Sequence, residues 1–299
     1  MGRRGRNIVI LPFLAPAVIL YTVFFIYPAL RAFYISLTDW SGYGAAKFVG
    51  LKNFAELFRD KDFYGALRHN IYLLIFGGIV TLSLAFLFAV LLWQGRIRGA
   101  GFFRTLLFSP SVVAPVAIAV TWTFVFSPRI GLLNGLLRST GLGNLARPWL
   151  GDLKLVLSLL MIVGIWSAVG YYMVLFLAGL QRLPQDLYDA AKVDGAGPVA
   201  TFFTITLPLM RDVLVTLIGL YTIGSFRTFD LIWIMTGGGP ANASETLATY
   251  MYRTALGVVR FSSVQRIGYG TAVAVILFLI VFVATILSQR LGGRQEVEY

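Results

Sequence analysis

The chain has 299 residues, of which 58% are hydrophobic, 15% aromatic and only 13% charged. Soluble domains average about 25% charged and 45–50% apolar residues, so this composition excludes an ordinary soluble fold and calls for lipid around much of the surface. The 25 Lys and Arg against 13 acids give a net charge of +12. These charges punctuate apolar runs singly or in threes instead of lining one face, which excludes a nucleic-acid binder. With no Cys, and His69 the only histidine, thiol chemistry, disulfides and His-cluster metal sites are excluded as well.

A spanning helix needs about 20 apolar residues to cross ~30 Å of hydrocarbon. Six runs qualify: Ile8–Leu30, Ile71–Trp93, Phe102–Phe126, Leu155–Leu180, Val213–Met235 and Ile267–Leu287. None alternates as barrel strands do. The first follows Arg3, Arg4 and Arg6, the flank of a signal peptide. It is longer than a signal core of about 7–15 residues, and it carries Pro12, Pro16 and Pro28, so an uncleaved span is expected. The connector Gln94–Gly101 holds Arg96 and Arg98, with Arg104 close behind, whereas Asp39–Asn70 and Ser127–Lys154 are long and of mixed sign. Basic density in short loops puts both termini in the cytoplasm. Gln181–Arg211 is then cytoplasmic and Thr236–Arg266 faces out.

Within the fourth run, Gly164, Gly170 and Gly179 suit close helix packing. The fifth run contains Arg227 and Asp230. At 1.5 Å per residue from Arg211, Arg227 falls ~24 Å along the helix, in the outer third of the bilayer. Two readings stay open: the charges pair on one helix face and snorkel outward, or they line a water-filled path. His69, at the start of the second run, reads as a boundary residue and not a ligand.

The segment between the fourth and fifth runs is the most informative. Pro184 suits a first helical turn. Leu187, Ala190 and Ala191 then fall on one face, with Asp186 and Asp189 on another. Gly195 stands where a helix end needs a left-handed residue. Pro198 can start a second short helix with Phe202, Phe203 and Ile205 on its apolar side, and Pro208 interrupts the chain before the next run. The expectation is a helix–turn–helix across the cytoplasmic mouth; a generic amphipathic loop is the bland alternative.

The stretch Asp189-Ala-Ala-Lys-Val-Asp-Gly-Ala196, followed by Phe202, Ile205, Leu207 and Pro208, resembles the EAA loop of ABC importer permeases. Asp189 stands where that family has Glu, and Val199 where an aromatic is common. Tyr27-Pro28, Ser36-Leu-Thr-Asp-Trp40 and Phe48-Val-Gly-Leu-Lys-Asn-Phe54 are similar to the N-terminal region of the sugar-type members. Ser225-Phe226, Phe229-Asp-Leu-Ile232, Thr236-Gly-Gly-Gly-Pro-Ala-Asn242, Glu245-Thr246, Tyr250 and Tyr252 are similar to the same members near the fifth span, and the Gly-Gly-Gly-Pro pattern resembles the first-permease type of the maltose, lactose and glycerol-phosphate systems.

The resemblance implies an all-α polytopic membrane protein with six transmembrane helices and a type I ABC importer permease fold, in a prokaryotic inner membrane. Residues 1–68 would form the tail, first span and outer loop, residues 69–290 the transmembrane core with its coupling loop at 181–210, and 291–299 a cytoplasmic tail. Asp189, Ala190, Ala191, Asp194, Gly195, Ala196, Phe202, Leu207 and Pro208, within the loop 184–208, would dock on an ATPase. The implied partners are a second permease, two ATPase subunits, an extracellular or periplasmic solute-binding protein and membrane lipid. Sugars are held by hydroxyl hydrogen bonds and aromatic stacking. Trp166, Ser167, Tyr171, Thr222 and Ser225, with Arg227 and Asp230, are therefore the candidates for the translocation path; packing and membrane anchoring are the other reading of the aromatics.

The Gly-rich turn Gly237–Pro240 reads as a flexible break after the fifth run. It is no phosphate loop, because no strand precedes it and Gly-Lys-Ser/Thr occurs nowhere in the chain. Gly141-Leu-Gly-Asn-Leu-Ala146 loosely matches a dinucleotide pattern but lacks a βαβ setting. No cofactor is expected on this chain; ATP and Mg would belong to the ATPase partners. A secondary transporter would need midplane acids or repeat symmetry. A membrane enzyme would need a catalytic pair, and none is visible.

Overall fold

The computed structural model describes residues 13–93, 98–257 and 265–292. Arg3, Arg4, Arg6, residues 8–12 of the first apolar run, Arg96 and the tail from 293 lie outside them. The elements in chain order are α1 (Phe13–Ser36), β1 (Thr38–Asp39), β2 (Lys47–Phe48), α2 (Lys52–Leu57), α3 (Lys61–Trp93), α4 (Ala100–Val112), α5 (Pro115–Val125), α6 (Leu132–Ser139) and α7 (Val156–Leu180). They continue with α8 (Gln185–Val193), α9 (Pro198–Leu209), α10 (Arg211–Phe226), α11 (Asp230–Thr236), α12 (Leu247–Leu256) and α13 (Ile267–Gly292). Among the described residues, five helical stretches are long and apolar enough to cross a membrane: α1, α3, α7, α10 together with α11, and α13; the bent pair α4–α5 makes a sixth.

Two of the expected spans are not continuous helices. The third is broken between α4 and α5, which meet at 95°. Ala114 is extended there, at φ −56° and ψ 134°. The ring of Pro115 disfavours helical geometry in the residue before it and pre-sets the first turn of a new helix. In the fifth, α10 ends at Phe226 and α11 begins at Asp230, with its acid in the first turn. Arg227 and Asp230 therefore do not share one uninterrupted helix face. The structure records no ion pair between them.

The chain divides into two compact units, Asp62–Thr249 with Leu279–Tyr299, and Met1–Lys61 with Tyr250–Phe278. In the first, α3 lies along α7, with small Ala85 and Ala89 facing Tyr172, Met173 and Phe176. Lipid offers no hydrophobic drive for helices to associate, so close packing and interhelical hydrogen bonds must hold them. Gly170 supplies the first: a Cβ there would lie 2.0 Å from the Leu107 carbonyl oxygen, so α4 and α7 touch backbone to backbone. Ser111 supplies the second, donating to the Ser167 carbonyl at 2.7 Å and accepting from the Tyr171 N–H at 3.1 Å. A Cβ at Gly179 would likewise lie 3.0 Å from Met210 and Val213, whereas one at Gly164 would meet only Leu231, at 3.9 Å. A second cluster joins Ile118 and Ala119 of α5 to Leu160 and Val163 of α7 and Ile232 and Met235 of α11.

The Gly-rich turn after α11 is packed, not loose. Ser244 donates to the Gly239 carbonyl at 2.6 Å and lies 2.8 Å from the Thr236 hydroxyl. Ser244, Glu245 and Thr246 are all buried. His69 anchors this turn, its Nδ1 lying 2.8 Å from the Glu245 carbonyl; a carbonyl only accepts, so Nδ1 carries the proton. Asn70 adds a 2.7 Å bond from the Leu247 N–H to its Oδ1.

In the second unit, Asn53 donates to the Ser36 and Thr38 carbonyls, both at 2.8 Å, and so fixes α2 against the end of α1. Arg266 grips Glu56 with two bonds of 2.7 Å and lies over the Tyr269 ring. Asp60 accepts from the hydroxyls of Tyr250 and Tyr269. Along α1, large apolar side chains such as Phe13 at 81% and Phe24 at 67% stay exposed. A helix apolar all round is suited to lipid or to a partner helix.

Candidate functional site

Two regions gather the residues singled out above. The first is the α8–α9 hairpin between α7 and α10. Its turn forms as the sequence anticipates: Gly195 takes φ +75°, and Asp194, Gly195 and Ala196 donate back to the carbonyls of Ala190, Lys192 and Ala191. Those bonds satisfy carbonyls that a helix end otherwise leaves open.

The packed face differs from the one expected. Tyr188 and Ala191 are buried, while Leu187 and Ala190 are exposed. The Tyr188 hydroxyl lies 3.1 Å from that of Thr206, and its ring meets Trp93 edge-on at 5.0 Å. Phe202 packs against Phe86 at 5.5 Å, and Leu207 rests on the same cluster. These contacts turn Leu187, Ala190, Val193 (88% exposed) and Asp194 toward the surroundings. Asp189 sits beside them in a 2.7 Å ion pair with Lys192. Gly195 and Pro208 are exposed and Ala196 is half-buried.

The second region is a cavity of about 420 Å³ framed by the α4–α5 break, the middle of α7 and the α10–α11 break. Five of the seven path candidates line it: Ser167, Tyr171, Ser225, Arg227 and Asp230. Trp166 does not; it lies edge-on to Trp122 at 5.5 Å. Thr222 does not either, its hydroxyl donating to the Ile218 carbonyl at 2.8 Å. The wall also holds Tyr172, Tyr221 and Thr228, along with Pro110, Ser111 and Pro115. The same two breaks that interrupt the spans thus open the space and place polar groups in it. Non-helical backbone at membrane depth is tolerated where it lines such a cavity. The sequence signal for this was available in Pro110, Pro115 and the charged pair, but it requires knowing that the two breaks face each other. Among the described residues no cluster of three or more metal-ligating side chains occurs.

Six apolar spans, a cavity at facing helix breaks and an exposed hairpin between two spans define a transport subunit of the membrane. The family of binding-protein-dependent transport system inner membrane components matches residues 84–297. The chain belongs to that family: it is a multi-pass permease subunit of an ABC importer. It is 34% identical over 288 residues to the probable ABC transporter permease protein YurN of Bacillus subtilis, covering 95% of this chain and 96% of that protein. It is 35% identical over 302 residues to the diacetylchitobiose uptake system permease protein NgcF of Streptomyces coelicolor, covering 96% and 84%. Its fold matches a crystal structure of a bacterial ABC transporter involved in the import of the acidic polysaccharide alginate, at a TM-score of 0.81 and 20% identity, over 98% of this chain and 97% of that one.

Proposed function

We propose that this chain is one of two permeases in a carbohydrate importer, paired with two ATPase subunits and fed by a solute-binding protein from the outer side. No nucleotide site is assigned to it; ATP and Mg act on the partners. Both termini and the α8–α9 hairpin lie in the cytoplasm, and the hairpin is the lever on which ATPase closure acts. The observation that carries this reading is the hairpin's division of labour. Tyr188, Phe202 and Leu207 fix it to the spans, while Leu187, Ala190 and Val193 are presented outward. Small Ala190 lets another surface approach closely, and neighbouring Asp189 offers a charge to it.

Transport of a sugar accords with the cavity, whose Tyr171, Ser167 and Ser225 combine an aromatic face with hydroxyls. The name of the diacetylchitobiose relative adds weight to that class. In the same wall Arg227 can donate hydrogen bonds to a polyol and Asp230 can accept them.

Ala190→Arg tests the lever. The site is exposed, so the permease should fold and assemble with its partner permease, whereas the ATPase subunits should fail to co-purify and binding-protein-stimulated ATP hydrolysis should fall at least tenfold. Unchanged co-purification and unchanged transport would sink the docking role.

A further inference from the structure

The α6 segment between the bent span and α7 turns an unusual face outward. Asn134 is buried at 1% exposure and holds the segment from within. It donates to the Pro128 and Arg147 carbonyls at 3.3 and 3.0 Å and accepts from the Arg147 N–H and the Trp149 indole at 3.3 and 2.7 Å. A polar residue thus supplies the inward anchor, and the leucines at i−2 and i+2 project the other way. Leu132 is 63% and Leu136 54% exposed, and Ile130 just ahead of the helix is 80% exposed. The anchor's four hydrogen bonds keep these side chains from folding back.

Two further observations say what covers them. The segment joins the end of α5 to the start of α7, two spanning elements, so it lies at a membrane boundary whichever way the chain is oriented. Its exposed apolar groups are also flanked by exposed cations. Arg129 has no side-chain partner among the described residues, Arg138 donates only to the Pro128 carbonyl at 3.2 Å, and Lys154 is exposed near the far end. Asp152 is the one acid between 127 and 154, and Arg147 lies 3.9 Å from it.

From these we propose that α6 is an interfacial anchor that seats Ile130, Leu132 and Leu136 in the acyl–headgroup boundary and holds anionic phospholipid through Arg129 and Arg138. A short amphipathic helix with apolar groups on one face and basic groups at its border binds membrane surfaces by that combination. Each basic group near an anionic surface strengthens the contact.

The chain has no cysteine, so single replacements can carry a fluorophore in the importer reconstituted with cysteine-free partners in nanodiscs. Labels at Leu132→Cys and Leu136→Cys should be quenched by doxyl-labelled lipid and shielded several-fold from aqueous iodide, relative to Gly143→Cys in the same loop. Replacing phosphatidylcholine with phosphatidylglycerol should deepen the lipid quenching, and Arg129→Gln with Arg138→Gln should remove that increase. Equal iodide access at all three positions would overturn the proposal, as would lipid quenching indifferent to phosphatidylglycerol. Shielding that appears only when the solute-binding protein is added would assign the face to that protein instead.

Discussion

Single residues carry the interhelical contacts of this protein, and their effects are separable. At Gly170 any Cβ meets the Leu107 carbonyl oxygen at 2.0 Å, a contact that no rotamer relieves because the backbone fixes the Cβ and the oxygen is itself backbone. Gly170→Val should force α4 and α7 apart and cost about 2–4 kcal/mol, in the range of severe overpacking; a thermal-shift assay on the purified permease should show the loss. Gly164→Ala, facing only Leu231 at 3.9 Å, should be nearly silent in the same assay. Glu56 gives a pH-dependent case. Its pKa is lowered from 4.5, chiefly by the Arg266 hydrogen bonds, so the pair stabilises the fold above that value and is lost as pH falls through the depressed one. With its side chain 43% exposed, the pair contributes no more than about 1 kcal/mol, and salt screens it. Glu56→Gln should therefore lower stability slightly at pH 7 and flatten its dependence below about pH 4.5, read from melting curves across that window.

At the scale of elements, the α8–α9 hairpin shows why some of the site was legible and some was not. Pro184, Gly195 and Pro198 each act through backbone geometry, which sequence reports directly, and the turn forms where they put it. Pro208, expected to interrupt the chain, instead lies within α9, which runs on to Leu209 before turning at Met210. The buried face is set by tertiary partners, Trp93 and Thr206, that no local spacing reveals. Leu187 and Tyr188 are adjacent and both apolar, so a helical pattern over nine residues fits either one inward. The same limit hid the α4–α5 break, where apolar residues on both sides leave hydropathy flat across Ala114. Tyr188→Ala should release the hairpin: amide exchange over 185–209 should speed up about tenfold or more while α3 and α7 stay protected, as expected when a local unit loses its anchor. Tyr188→Phe, which gives up only the 3.1 Å contact with Thr206, should exchange much closer to wild type.

For the whole molecule, the six apolar runs were readable because lipid imposes a length that the sequence must meet, whereas the cavity was not, because it arises where two breaks in different spans face each other. Orientation depends on something weaker, the density of Lys and Arg in short loops, and the segment 127–154 holds four basic residues that count against the assignment. Of these, Arg147 lies 3.9 Å from Asp152, while Arg129, Arg138 and Lys154 are exposed. One span, α7, separates Gly143 from Asp194, which therefore lie on opposite sides of the membrane. Both are exposed, and the absence of native cysteine makes each a clean reporter after replacement. In intact spheroplasts an impermeant maleimide should label Gly143→Cys and leave Asp194→Cys untouched until the membrane is opened. The reverse pattern would place the hairpin outside, beyond the reach of any cytoplasmic ATPase, and the lever would have nothing to pull it.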